Sequence, residues 1–276
     1  MEAKVNITAA QVNELRKQTG AGMMDCKRAL VEAEGDFEIA IEVLRKQGQK
    51  VAAKRSDRDA TEGVVIGKDN GKKVVLLCLN CETDFVAKNE GFTGFANDLL
   101  DLALNNSVTT IDALYALSYK DATVADAITE QIGKTGEKVE VTGLEVIEAA
   151  TVVAYNHPGN KVCAIVGLNK AGFEEAARDV AMQAAAMAPI ALNKEAVSQS
   201  VIDKEVEIGK DLAIQEGKPA DMAEKIALGR LGKFFKENTL LEQAFIKDNK
   251  KSVAEYLKST DPQLTVTEFK RFSLGN

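Results

Sequence analysis

The chain has 276 residues, 45% hydrophobic and 28% charged, with 42 acids against 35 bases, one histidine, four cysteines and no tryptophan. This composition excludes a disordered chain, and a net charge of −7 argues against nucleic acid as the main partner. The longest apolar runs, Val74–Leu79 and Ala184–Ala188, fall far short of the roughly 20 residues that cross a bilayer, so no membrane is expected either.

Length alone suggests roughly two globular units. Four cysteines do not make a disulfide framework, and Met1–Asn6 has no basic cap followed by an apolar stretch. The expected setting is therefore a reducing cytoplasm, with no secretory leader. The negative charge lies in the middle of the chain: residues 1–58 carry 11 bases and 9 acids, residues 59–243 carry 18 and 29. Such an imbalance reads as a solvated face.

Residues 1–48 read as three short helices. Thr8-Ala9-Ala10-Gln11 has the form of a capping box, with Ile7 and Val12 in the two positions of a hydrophobic staple, and Gly20 stops the helix. Cys26, Ala29, Leu30 and Ala33 recur at helical spacing up to Gly35. Asp36 caps a third helix through Ala40 and Leu44, with Gly48 as its stop. The charged run from Gln49 to Thr61 reads as a hydrophilic linker with some helical character.

From Glu62 the period changes to that of strands. Gly63–Gly67 and Lys73–Leu79 flank Asp69-Asn70-Gly71, a hairpin signal, and a helical pattern follows from Phe92 to Asn105. The plan returns 88 residues later: Val64, Val65, Gly71, Lys73, Val74 and Leu77 correspond to Val152, Val153, Gly159, Lys161, Val162 and Ile165. A second helix, Phe173 to Met187, is closed by Pro189. Two hairpin-plus-helix units predict a duplicated α+β core. In residues 193–232, Val197, Val201, Ile208 and Leu212 form one stripe. Glu216-Gly217-Lys218-Pro219 forms a turn, and Met222, Ile226 and Arg230 a second helix. This predicts an antiparallel helical hairpin standing off the core. Ser252 to Glu255 is a second capping box, and Leu264 to Leu274 a closing strand.

The residues of an enzyme are hard to find. His157, the only imidazole, lies in the turn Asn156-His157-Pro158-Gly159, where a surface or contact role is the ordinary one. Cys78 and Cys81, with Cys163 and His157, have the ligand types of a zinc site. However, strand positions i and i+3 face opposite sides. Gly67–Lys72 is one residue short of a phosphate loop, Gly133-Lys134-Thr135 lacks the leading glycine, and Gly20-Ala21-Gly22 lacks a preceding strand. No cofactor is expected, and the reading is of a non-enzymatic protein that acts on another protein.

Two segments carry more. In Leu15–Leu30 the adjacent Met23 and Met24 follow a glycine-rich turn, where flexible apolar side chains suit a partner, or else pack inside the three-helix unit. In Asn80-Cys81-Glu82-Thr83-Asp84-Phe85-Val86-Ala87-Lys88-Asn89, a phenylalanine beside a carboxylate can present an apolar wedge. It can equally sit in the core behind an N-cap at Thr83 or Asp84.

Together these segments closely resemble the two signatures of the translation elongation factor Ts family, the guanine-nucleotide exchange factors of elongation factor Tu. The resemblance spans the chain. It implies a ubiquitin-associated-like three-helix domain with linker over 1–56, a core N-terminal half over 57–145, and a core C-terminal half over 146–192 completed by 233–276. A coiled-coil protrusion fills 193–232, through which self-association is a further expectation. The family pattern implies that Thr83-Asp84-Phe85-Val86 enters the partner's GTPase domain. Phe85 would wedge between helices and Asp84 would engage polar groups near the switch region, disturbing the Mg²⁺ and phosphate site so that GDP leaves. It further implies that Arg16, Met23 and Met24 grip the nucleotide-binding domain and that His157 touches another domain of the partner. Two other readings are a structural adaptor, which has no need of an exposed wedge, and a thiol or zinc enzyme built on Cys78 and Cys81.

Overall fold

The computed structural model describes residues 6–275. Met1–Val5, on which the expectation about a leader partly rests, lie outside the described residues. The fold class is α+β, and the chain divides into two units. One takes the chain up to Ile66, Leu77–Leu144 and the end from Ser273; the other takes Gly67–Leu76 and Glu145–Phe272.

The first unit begins with three helices, α1 (Ala9–Thr19), α2 (Met23–Glu32) and α3 (Phe37–Arg55). Thr8 and Gln11 form the capping box, and Gly20 closes α1 in the left-handed conformation at φ 69°. Their core is small: Val12, Leu15, Cys26, Ala29, Leu30 and Ala40 are buried together. Gly48 does not stop α3, which runs seven residues further and takes in most of the expected linker. A Cβ at Gly48 would lie 3.1 Å from the Thr129 carbonyl oxygen and 3.6 Å from the Gly133 Cα. The glycine therefore serves a close helix crossing, a use of missing volume that looks the same in sequence as a helix stop.

Strands β1 (Glu62–Asp69) and β2 (Lys73–Cys81) make the expected hairpin, and the boundary between units cuts both. Asn70 Oδ1 accepts the Lys72 and Lys73 amides, and Gly71 takes φ 87°, a conformation that favours glycine. The chain continues through a four-residue helix α4 (Asp84–Ala87), α5 (Glu90–Asn105) and α6 (Ile111–Tyr115). A two-residue ladder, β3 (Ser118–Tyr119) with β4 (Ala122–Thr123), leads into α7 (Val124–Thr135), which packs on α3. Strand β5 (Glu140–Glu148) joins the sheet in the order β1-β2-β5.

In the second unit, β6 (Thr151–Asn156) and β7 (Val162–Leu168) pair antiparallel around a turn with Gly159 at φ 90°, repeating the geometry at Gly71. Helix α8 (Glu174–Met187) packs on both strands, through Ala176, Ala177, Val180, Ala181 and Ala184. Two long helices follow, α9 (Gln199–Gln215) and α10 (Ala220–Asn238), as an antiparallel hairpin. Its seam departs in part from the expected stripe, of which Val197 is buried and Val201 and Ile226 are half-buried. Gly209, Ala213, Ala223 and Ala227 are buried, whereas Ile208, Leu212 and Met222 are exposed. Small residues let the backbones approach, and a Cβ on Gly209 would come within 3.0 Å of the Ala227 Cβ. Bulky residues are left outside a seam this close. The chain ends with β8 (Ala244–Phe245), β9 (Asp248–Ser252), α11 (Val253–Thr260) and β10 (Val266–Ser273). Ser252 and Glu255 form the second capping box, and the sheet has the order β10-β7-β6.

Candidate functional site

The segment after β2 turns sharply into α4. Thr83 is its N-cap in extended conformation, yet the Thr83 hydroxyl caps nothing in its own helix. It donates instead to Glu137 Oε1 at 2.6 Å, while Glu137 Oε2 accepts the backbone N–H groups of Thr83 at 3.0 Å and Glu82 at 3.1 Å. The Glu82 carboxylate in turn accepts from the Lys138 amide at 2.7 Å and from Arg55 at 2.8 Å. The Cys81 thiol donates to the Thr83 carbonyl oxygen at 3.2 Å. Burial, with Glu137 nearby, pushes that thiol up to about 12.

Within α4, Ala87 is buried and anchors the helix, and Asp84 pairs with Lys88 at 2.6 Å on the exposed side. Phe85 points away from the core and is 84% exposed. The alternative of a ring tucked behind the N-cap is thereby excluded, although the N-cap at Thr83 is correct. Asn89 closes the segment and caps α5 by accepting from Gly91 at 2.8 Å. Beneath Phe85 lies a groove of about 680 Å³, lined by Phe85, Val86, Phe92, Phe95, Tyr119 and Lys134 among others. Among its lining residues Phe95 and Tyr119 meet edge to face at 5.7 Å, and the Tyr119 hydroxyl donates to Asp98 at 2.6 Å. Gly20, at the end of α1, abuts the Lys134 side chain on the rim of the same groove.

Met23 and Met24 open α2 and are 51% and 62% exposed, so packing inside the three-helix unit is excluded. Arg16 lies exposed in the last turn of α1, which ends at the Gly20 cap. His157 belongs to the second unit. It is exposed in the β6–β7 turn, and its Nδ1 lies 3.2 Å from the Tyr155 hydroxyl. The other sequence features have structural uses. Gly133-Lys134-Thr135 is the last turn of α7, not a loop before a helix, and Gly67–Lys72 is hairpin. All four cysteines are buried, and desolvation pushes Cys163 up to about 12 and raises Cys78 as well. Among the described residues no group of three or more His, Cys, Asp or Glu side chains is placed to hold a metal ion, and no helix is long and apolar enough to cross a membrane.

Glu137 and Arg55 are the residues that sequence reading missed. Glu137 lies 54 positions from Thr83 in a polar stretch, with no periodicity or motif to mark it.

A family model described as Elongation factor TS matches residues 82–276. Elongation factor Ts of Christiangramia forsetii is 56% identical over 273 residues, which cover 98% of this chain and 99% of the relative. That of Flavobacterium psychrophilum is 54% identical with the same coverage, and that of Porphyromonas gingivalis 46% identical over 270 residues, 98% of each chain.

Proposed function

The chain belongs to the elongation factor Ts family, with the role of a translation elongation factor, and we propose that it binds elongation factor Tu carrying GDP and expels the nucleotide by inserting Thr83-Asp84-Phe85-Val86. The observation that carries this reading is the exposure of Phe85, 84% open to water on a four-residue helix whose base is braced from outside. An apolar ring this open, flanked by a salt-bridged Asp84, is suited to enter a cleft in a partner.

The chain performs no covalent chemistry in this reading. Phe85 separates two elements of the partner's nucleotide domain, and Asp84 offers its carboxylate to polar groups that otherwise serve the Mg²⁺ and phosphate site. Met23 and Met24, both exposed, add a flexible apolar rim, which together with Arg16 contributes affinity rather than distortion. His157, exposed in its turn, contacts a second domain of the partner. The two ligands of elongation factor Tu are thus negatively coupled, and the coupling is reciprocal. GTP, once bound, releases the factor unchanged.

Elongation factor Tu loaded with fluorescent GDP, mixed with this chain and excess unlabelled nucleotide, should lose its label faster as the chain is titrated in, reaching a plateau. A release rate independent of the chain's concentration would sink the proposal.

A further inference from the structure

The wedge is too short to hold its own direction. A four-residue helix meets the full cost of nucleation with few hydrogen bonds in return, and the Thr83 hydroxyl, which would ordinarily cap it, is committed elsewhere. What fixes the start of α4 is a crosswise clamp. Glu137 takes both backbone amides and the hydroxyl at Glu82-Thr83, at 3.1, 3.0 and 2.6 Å. Glu82 reaches back to the Lys138 amide at 2.7 Å, and its other oxygen accepts from Arg55 at 2.8 Å, at the end of α3. Each acid therefore binds the backbone of the segment that carries the other. The Glu82 side chain is only 15% exposed, so these charge-assisted bonds are sheltered from water.

We propose that Glu137 is a positioning residue for exchange: through the Glu82-Thr83 backbone it sets the direction in which α4 presents Phe85 to the partner. The proposal rests on the exchange reading above. Three acceptor contacts converge on the two residues immediately before α4, while Phe85 itself, 84% exposed, has little packing to orient it. Loosening the clamp lets the ring sample directions in which it meets the partner without parting its helices. Association then survives while the coupling to GDP weakens.

The test is a double-mutant cycle on the full chain, using Glu137→Ala, Phe85→Ala and the pair. Its readouts are the GDP-release rate at saturating factor, the affinity for nucleotide-free elongation factor Tu, and the melting temperature. Glu137→Ala should slow saturated release roughly tenfold, the equivalent of about 1.4 kcal/mol, with at most a comparable loss of affinity, so that binding stays measurable. Adding Phe85→Ala should slow release no further than Phe85→Ala alone, because Glu137 acts through the ring. Glu137→Gln, whose amide oxygen still accepts the two backbone N–H groups while its NH₂ meets the Thr83 oxygen, should restore most of the rate. Amide exchange at Glu82 and Thr83 should rise in Glu137→Ala and stay unchanged in Phe85→Ala. If Glu137→Ala fails to fold, Glu137→Asp, which keeps the charge and shortens its reach, takes its place in the cycle. Additive losses, or full release by Glu137→Ala, would overturn the positioning role while leaving the wedge in place. A silent Phe85→Ala, or a wild-type chain that releases no GDP, would overturn the exchange reading and this inference with it.

Discussion

An aromatic ring held in water gains nothing from its own fold, so the cost of removing it separates the two uses that a phenylalanine can have. Phe85 is 84% exposed, and Phe85→Ala should leave the melting temperature nearly unchanged. A core phenylalanine would lose about 3–5 kcal/mol. Saturated GDP release should nevertheless slow about thirtyfold, since a buried interface anchor contributes about 2 kcal/mol or more. Melting and release measured on one preparation decide the matter, and a sharp drop in melting temperature refutes the wedge. Asp84→Ala should be milder, because a polar contact at a wet rim contributes about 0.5–1.5 kcal/mol. The cysteines offer a second residue-scale check. Cys81 and Cys163 sit at about 12, so at pH 8 both are almost wholly protonated. A disulfide reagent should therefore label the folded chain only at the rate of opening, far below the rate for denatured protein. Rapid stoichiometric labelling of the native chain would revive thiol chemistry. Residues of this kind were only half legible in the sequence. Thr83, Asp84, Phe85, Met23 and Met24 were marked as a group only by the resemblance of their two segments to the family signatures. Their exposure could not be read, because an apolar residue beside an N-cap serves a core and an interface equally well.

Elements were legible where their signals are local. The capping boxes at Thr8 and Ser252, the Asn70-Gly71 turn and its repeat at Gly159 each settle within four residues and need no partner in space. Illegibility began where one element's shape is set by another. Gly48 reads as a stop but makes room for α7, and the α9–α10 seam runs through Gly209, Ala213, Ala223 and Ala227 instead of the larger residues beside them. The two-residue strands β3 and β4 carry no period and were invisible, and α6, α7 and β5 went unread too, although Thr123 and Asp126 form a capping box at the start of α7. The seam supports a prediction at this scale. The base of the hairpin is closed independently, by Leu240 donating to Ala191 at 2.9 Å and Ile190 donating to Asn238 at 2.9 Å. Replacing residues 199–236 with a short Gly/Ser link should therefore keep the rest folded and leave most GDP release in place. Gly209→Val should force the two helices apart at a cost of about 1–3 kcal/mol, again without effect on release. A well-folded deletion that has lost most of its release activity would assign the hairpin a part in exchange.

For the molecule as a whole, the decisive quantity is a coupling constant rather than an affinity. None of the three glycine-containing segments has the geometry of a phosphate loop, and the isolated chain should bind neither GDP nor GTP in calorimetry. Every effect on nucleotide must then pass through the partner, as a ratio between the chain's affinity for nucleotide-free and for GDP-bound elongation factor Tu. Linkage requires the same ratio when GDP affinity is measured with and without the chain at saturation. Contacts made equally in both states cannot enter that ratio; only contacts that demand the distorted site can. The Met23→Ala/Met24→Ala pair should thus weaken both affinities by a similar factor and leave the ratio alone, because flexible apolar side chains on a rim follow either shape of the partner. Phe85→Ala should behave in the opposite way. It should cost some affinity for the nucleotide-free partner, less for the GDP-bound one, and reduce the ratio by about thirtyfold, the equivalent of about 2 kcal/mol of wedge contact. Titrating each variant against both forms of the partner gives all four affinities. A ratio that falls in the methionine pair, or one that survives Phe85→Ala, would place the energy of exchange somewhere other than α4.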